Sequence, residues 1–363
     1  MTPFPHIKKL WIKGFRNIGE ILLDLTAHRH CFVYGNNNQG KTNFLEAIYV
    51  LANGVSPKEA HLDYLVGFGK EAAYVGADVS NGDQDERLYL KLTADKKKSL
   101  FLNQKPIRSF QTLRSLWSVQ YLSADVIQLF QDQPDGRRQD LNRFCSLYFK
   151  GYPSVLKNFE RALKQRNSAL KAQNKAEATL WNEPFITYAL EIIRFRQEAC
   201  TVLEGILKQL MLEGQFPFQV LSVRYWTANR DSFLDYRQWL VDKLTQNMHK
   251  ELRAGYTLYG PHRDDFEIMV DGHSLYHFFS RGINRSFAIL LKVAQLMALQ
   301  NQYGGFPILL LDDVFAELDP NMKAIMVNVI QHKTAVFYTS VIPEDGLFFE
   351  DVKGFEMVQG QLN

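Results

Sequence analysis

The spacing of hydrophobic and polar positions changes twice along this 363-residue chain. The opening alternates short apolar runs with Gly, Asn and His-rich breaks, which predicts strands over 7–13, 21–25 and 31–34. A helix is predicted from Thr42 to about Ala52, stopped at Asn53-Gly54. Residues 72–101 read as short antiparallel strands, with one turn at Asn81-Gly82-Asp83 and another near Asp95. The stretch 121–148 is mixed, with a helix starting near Pro134-Asp135.

From Tyr152 the period becomes helical. Leu156, Phe159, Leu163 and Leu170 follow a 3-4 spacing that misses one step at Arg166. After the breaker Trp181-Asn-Glu-Pro184, the spacing resumes at Leu190, Ile193, Cys200, Leu203, Leu207 and Leu210. Both an antiparallel helical arm and ordinary packed helices satisfy this pattern. Beyond Gly304-Gly305 a strand at 307–311, a helix at 322–330 and a strand at 335–338 alternate, which implies a parallel sheet with crossover helices. The expected division is a discontinuous α/β head, 1–150 with 258–363, around an inserted helical lobe, 151–257.

Composition narrows the class. Hydrophobic residues at 46% and aromatics at 13% are enough for a real core, so global disorder is excluded. Lys and Arg total 42 against 39 Asp and Glu, a net charge of +3, so any basic surface must come from local clustering. Cys31, Cys145 and Cys200 are scattered and odd in number, which argues against a disulfide scaffold and a thiolate zinc site. The apolar stretch 288–299 is cut by Lys292 and Gln295, and the N-terminus lacks a long apolar run with a cleavage site, so a soluble cytoplasmic protein without a membrane span is expected.

The sharpest chemical signal is Gly35-Asn36-Asn37-Asn38-Gln39-Gly40-Lys41-Thr42, a full G-x-x-x-x-G-K-[ST] between an apolar strand and a helix, with Asn43 following. Such a loop converges backbone N–H groups on a phosphate, Lys41 meets the β/γ-phosphates, and the Thr42 hydroxyl suits Mg²⁺. The apolar run Ile308–Leu311 ends in Asp312-Asp313, which predicts Asp312 as a second metal ligand and Asp313 as the residue that orients or activates water. Ser280-Arg281-Gly282 opens an apolar helix and forms a candidate anion-binding turn. Glu317-Leu318-Asp319 adds an acidic loop.

In this order, around a helical insertion, these motifs resemble the ATP-binding-cassette heads of SMC-type chromosome proteins. Gly14-Phe15-Arg16-Asn17, Gln39 to Ala47, Gly260-Pro-His-Arg-Asp-Asp265 and Leu309 to Asp319 are similar to the RecF family of bacterial recombination-repair proteins, and the likeness runs over essentially the whole chain. The resemblance implies an α/β ATPase head with a mixed sheet around the phosphate loop, an antiparallel β subdomain and a helical, coiled-coil-like arm. It also implies a slow ATPase switch with ATP and Mg²⁺ as cofactors. A homodimer would hold ATP between the phosphate loop and Ser280–Gly282 of the second copy, bind DNA, and act with RecO and RecR in loading the recombinase RecA. This chain departs from the family at Asn38 (usually Gly), Ile283 (usually Gln), Ala316 (usually Ser) and Ser123-Ala-Asp-Val (usually Ser-Pro-Glu-Asp). Thr339-Ser340 stand where transporter cassettes place a histidine. The alternatives weighed against this reading are a transport-type ATPase subunit and a structural chromosome protein with a vestigial nucleotide site.

DNA contacts are expected from local basic clusters: Lys96-Lys97-Lys98 at a hairpin tip, Arg137-Arg138, and the first arm helix with Lys157, Arg161, Lys164, Arg166, Lys171 and Lys175. No motif for reading base sequence is present. His262-Arg263-Asp264 lacks the downstream Asn of a kinase loop, since Met269 stands there. His28 and His30 lie in a turn without further ligands and are expected to be solvated.

Overall fold

The computed structural model describes residues 6–59, 61–80, 85–123, 134–227, 236–315, 318 and 320–363. The chain forms two compact units. The first comprises Met1–Gln128, Gln209–Phe216 and Ser280–Asn363, and the second Leu129–Lys208 and Pro217–Phe279. The head is therefore shorter than the 1–150 and 258–363 expected. Strand Asp265–Val270 pairs antiparallel with Leu221–Trp226. The Arg137 guanidinium, in helix Pro134–Tyr148, grips the Asp265 carboxylate at 2.6 and 2.9 Å. These bonds bind both flanking segments to the second unit.

The first unit is built on a six-stranded sheet in the order Gln361–Leu362, Val352–Val358, His30–Tyr34, Ala335–Ser340, Phe306–Asp312, Trp117–Ser123. Its core strands are parallel, and all residues of Phe306–Asp312, Ala335–Ser340 and Trp117–Ser123 are buried. Burial on both faces explains their continuous apolar runs. Trp117–Ser123 joins this sheet as a full edge strand, where sequence reading found only a mixed region. The Lys41–Asn53 helix packs its buried face, Phe44 to Ala52, into the same core. Gly54 caps it in the left-handed conformation, φ 69°, and donates its N–H to the Val50 carbonyl.

A second, antiparallel sheet carries strands His6–Phe15, Ile18–Asp24, Ala72–Ser80, Asp85–Thr93, Lys98–Leu102 and Lys105–Ile107. Leu10 and Ile12 point inward while the half-buried Trp11 and exposed Lys13 point out, as strand alternation requires. The expected turn at 81–83 lies outside the described residues. The turn near Asp95 is present, closed by Lys96 N–H to the Thr93 carbonyl at 3.0 Å. One helix, Arg281–Tyr303, is long and apolar enough to cross a membrane by composition, but 78% of its apolar window is buried in the core.

The second unit holds helices Pro134–Tyr148, Tyr152–Lys171 and Lys175–Leu180, and the part of Asn182–Glu213 up to Lys208. Pro184 lies in the first turn of that last helix, where its missing N–H costs nothing, so the breaker segment is a helix start. Arg166 is fully buried and corrects its count among surface cations. It pairs with Glu251 at 2.6 Å and donates to Thr257 and Asn182 at 2.7 and 2.8 Å. Arg196 is buried too, bonding to Asn142, Tyr225 and the Pro261 carbonyl. The Gly260–Asp265 motif surrounds it: Asp264 accepts from Tyr225 at 2.9 Å, and the His262 ring meets the Thr257 carbonyl at 3.0 Å.

Two histidines link this packing to pH. His30 is buried rather than solvated, and its Nδ1 accepts the Val336 N–H at 3.1 Å. Burial, helped by the charge of Arg29, pulls its pKa down to about 4. Burial does the same to His262, also to about 4. Both rings are thus neutral in the fold over a range where the unfolded chain, with pKa about 6.5, binds protons. Stability therefore falls as pH drops from about 6.5 towards 4. Urea midpoints are expected to fall between pH 7 and 5, as the unfolding free energy drops by up to about 2 kcal/mol per ring. His30→Asn, which can accept the same bond, should flatten part of that slope, and an unchanged wild-type midpoint contradicts the assignment.

Candidate functional site

The phosphate loop leaves strand His30–Tyr34 at Gly35 and enters helix Lys41–Asn53 at Gly40. Both glycines are conformationally necessary. Gly35 has φ 146°, and a Cβ there would stand 2.5 Å from the Met357 carbonyl oxygen. Gly40 has φ 115°, and its Cβ would press on the Asn17 amide at 3.0 Å. Asn38 adopts φ 61°, in the left-handed region that Asn enters more readily than most residues other than Gly. Asn36, Asn37 and Asn38 are exposed. No side chain caps the helix, so its first N–H groups face the loop.

The loop is braced from outside. Gln359 N–H donates to the Gln39 side chain at 2.6 Å and Gly360 N–H to the Gln39 carbonyl at 2.8 Å. Asn43 donates to Asn17 at 2.8 Å. Arg16 grips the buried Glu46 carboxylate with two N–H groups, and Ser56 donates to the same carboxylate. The motifs Gly14–Asn17 and Gln39–Ala47 are thus two halves of one clamp. Lys41 is buried and folds back, donating to the Gly35 and Asn36 carbonyls at 2.7 and 3.1 Å.

Beside the loop stands Asp312, buried and bonded to four donors. Its Oδ1 accepts from the Thr42 and Thr339 hydroxyls at 3.0 and 3.1 Å. Its Oδ2 accepts from the Tyr121 hydroxyl at 2.7 Å and Lys58 Nζ at 3.2 Å. Asp313 follows in a left-handed conformation, φ 55°, with its N–H on the Thr339 hydroxyl at 3.1 Å and its carboxylate 3.3 Å from that hydroxyl. Desolvation, and then the neighbouring Asp312 charge, raise the Asp313 pKa; Lys41, Thr339 and Lys58 oppose them. Folding therefore favours the protonated form of Asp313, and its ionised form costs stability once pH rises above the ordinary carboxylate value.

The donor set suits a hard cation. Thr42 and Asp312 offer an hydroxyl and a carboxylate oxygen within 3.0 Å of each other. No cluster of three or more His, Cys, Asp or Glu exists among the described residues.

The structure thus brings Gly35–Asn43, Asp312 and Asp313 together. It adds Lys58, Tyr121, Thr339 and Gln359, which no motif had marked for these contacts; the only prior signal was Thr339 standing at the place of a switch histidine. Ser280 caps the Arg281–Tyr303 helix, accepting the Ile283 N–H at 3.4 Å, and Ser280 and Arg281 are exposed. Among the described residues no hydrogen bond or ion pair joins Ser280, Arg281 or Gly282 to the phosphate-loop cluster. Glu317 and Asp319 lie outside the described residues, while Leu318 between them is buried.

The basic clusters fare unevenly. Arg137 is buried on Asp265, and Arg138 is bound to the Asp264 carbonyl and to Asp135, which corrects their assignment as DNA contacts: both serve packing. Lys98 donates to the Gly54 carbonyl at 3.0 Å. Lys96, Lys97 and Lys98 are all exposed, with Lys96 near Asp63 at 3.7 Å and Lys97 on Asp95 at 2.6 Å. Arg161 and Lys164 are exposed, with no ion pair among the described residues.

Comparison with known proteins agrees with this geometry. The family model for the RecF/RecN/SMC N terminal domain matches residues 6–357. The "DNA replication and repair protein RecF" of Halothermothrix orenii is 30% identical over 347 residues, 92% of either chain. That of Leptospira biflexa is 31% identical, over 92% of this chain and 90% of its own. A solved structure of the recombination mediator protein RecF-ATPrS in the RecFOR pathway superposes with a TM-score of 0.83 at 26% identity, covering 100% and 98% of the two chains. The Smc head domain of Pyrococcus furiosus, at 15% identity and a TM-score of 0.54 over 99% and 96%, shares the fold. The chain therefore belongs to the RecF/RecN/SMC N-terminal-domain family, among the RecF proteins, with the ATPase-head fold of that family.

Proposed function

We propose that this chain is an ATP-dependent DNA-binding switch of replication and recombinational repair. It binds single-stranded or gapped DNA without sequence preference, dimerises on ATP, works with RecO and RecR to load RecA, and so supports the SOS response in the cytoplasm. The observation that carries this reading is the buried cluster in which Thr42, Thr339, Tyr121 and Lys58 converge on Asp312 beside the phosphate loop. A vestigial nucleotide site has no reason to keep four donors on one carboxylate beside an ionisable Asp313.

In this reading Lys41 exchanges its two carbonyl partners for phosphate oxygens, and the free N–H groups of the helix start receive the phosphate charge. Thr42 and Asp312 would hold Mg²⁺, and a bound ion would supply charge neutralisation for the nucleotide phosphates. Asp313 orients and deprotonates the attacking water, and its raised pKa brings it nearer the working pH of a base. The Thr339 hydroxyl lies within reach of both acids, 3.1 Å from Asp312 and 3.3 Å from Asp313. Ser280, with the helix behind it, contacts the nucleotide held by a second copy. The exposed cations Lys96, Lys97, Lys98, Arg161 and Lys164 meet DNA phosphates.

Three measurements test this reading. Lys41→Ala should lose tight ATP binding with the fold intact, since a charge-assisted contact is worth about 1.5–3 kcal/mol; unchanged affinity by calorimetry contradicts the site. Asp313→Asn should retain Mg-ATP and slow turnover. It should also raise stability at pH 7, an advantage that shrinks as pH falls towards 4, because the ionised carboxylate destabilises the fold. Turnover at the wild-type rate would exclude Asp313 as the catalytic carboxylate. Sedimentation velocity should reveal ATP-driven dimers that Ser280→Arg blocks. Ile283→Gln should strengthen them by up to about tenfold, by restoring one hydrogen bond. Dimers of equal stability without ATP would remove the composite site.

A further inference from the structure

Helix Pro320–Ile330 and the 3-10 turn Pro343–Leu347 of the first unit enclose an open groove of about 710 Å³, continued by residues 348–350. Its apolar surface comes from Ala324 and Val327 on the helix and from Leu347 and Phe348 on the turn. Leu347 is 86% exposed. The rim is acidic. Lys323, its one cation, is already used: its Nζ lies 4.8 Å from the Phe348 ring centre and 3.9 Å from the Asp345 carboxylate. Glu344 and Glu350 are exposed and form no ion pair among the described residues. One cation against Glu344, Asp345 and Glu350 leaves a local charge of 1 − 3 = −2.

An acidic rim repels nucleic acid, so this face is unsuited to DNA. An apolar floor with two unpartnered carboxylates instead complements a large apolar side chain flanked by cations. The volume falls within the range of roughly 300–1,000 Å³ of ligand-binding clefts, enough for such an anchor. We propose that this groove is a docking surface for a segment of a partner protein that carries a Leu, Ile or Phe anchor between Lys or Arg residues. The proposal rests on the reading of this chain as one that works with partner proteins. The turn is also tied to the nucleotide site: Ser340 donates to the Asp345 carboxylate at 2.5 Å, and Tyr338 donates to the Asp345 carbonyl at 3.2 Å. Thr339, between those two residues, touches both Asp312 and Asp313. The turn that lines the groove is thus bonded to both chain neighbours of Thr339.

The test uses the full chain, probed against arrays of peptides of about 15 residues tiling RecO and RecR of the same organism; captured peptides are then titrated by fluorescence anisotropy. Captured peptides should carry an apolar anchor with basic flanks. Leu347→Asp and the double variant Glu344→Lys/Glu350→Lys should each weaken them by about tenfold or more, with ATP binding and ATP-driven dimerisation unchanged. The proposal is overturned by capture of acid-flanked peptides, by equal binding to wild type and variants, or by no capture. It is equally overturned if the variants lose the dimer, which would assign the groove to a second copy. Dimerisation and DNA binding of the wild-type chain, measured in parallel, judge the functional reading separately. Their absence defeats that reading, while the peptide result alone decides the groove.

Discussion

A buried carboxylate has to be met by donors, and Asp312 gathers its donors from four separate stretches of chain. Thr42 comes from the helix after the phosphate loop, Lys58 from the segment beyond it, Tyr121 from an edge strand and Thr339 from the adjacent parallel strand. The register of the sheet makes this possible, because Asp312 lies opposite Thr339 on one side and Ser123 on the other. A one-residue slip would turn Asp312 away from the loop and leave these donors without an acceptor. The order of the central sheet and the position of the phosphate loop therefore depend on the same group.

Around this centre the loop is held by backbone close packing as much as by side chains. Gly35 passes under the Met357 carbonyl, Gly40 lies against Asn17, and Gln39 is pinned by Gln359 and Gly360. The strands near the end of the chain thus support a loop more than three hundred positions away in sequence. Lys41, folded onto its own loop carbonyls, is satisfied while free to change partners. Two residues of the site, Asn38 and Asp313, adopt the left-handed region, which L side chains rarely enter.

The second unit solves a different problem. Its core contains two fully desolvated arginines, Arg166 and Arg196, each enclosed by oxygen acceptors. Such groups add little net stability compared with apolar packing, but each is tolerable only with all its partners in place, which disfavours alternative packings. The Gly260–Asp265 motif supplies one of those partners, the Pro261 carbonyl, and Asp264 holds another, Tyr225, in place.

Much of the fold was legible in the sequence because its signals are local. Strand and helix periods, the Asn53-Gly54 stop and the glycines of the phosphate loop follow from backbone geometry that a few neighbouring residues dictate. Thr42 and Asp312 each lie in a motif of fixed spacing, and the structure joins them by a hydrogen bond at 3.0 Å. Other contacts depend on which distant strand becomes a neighbour. Lys58 and Tyr121 sit in stretches with no motif, and only the sheet order brings them to Asp312. Charge was the most misleading quantity read from sequence. Arg137, Arg138 and Arg166 count as surface cations along the chain, yet tertiary packing turns them towards Asp265, Asp264 and Glu251. Burial is a property of the assembled unit. Sequence alone therefore determined which local elements form and which residues could handle phosphate, while the tertiary structure decided which charges face water and which hold the core.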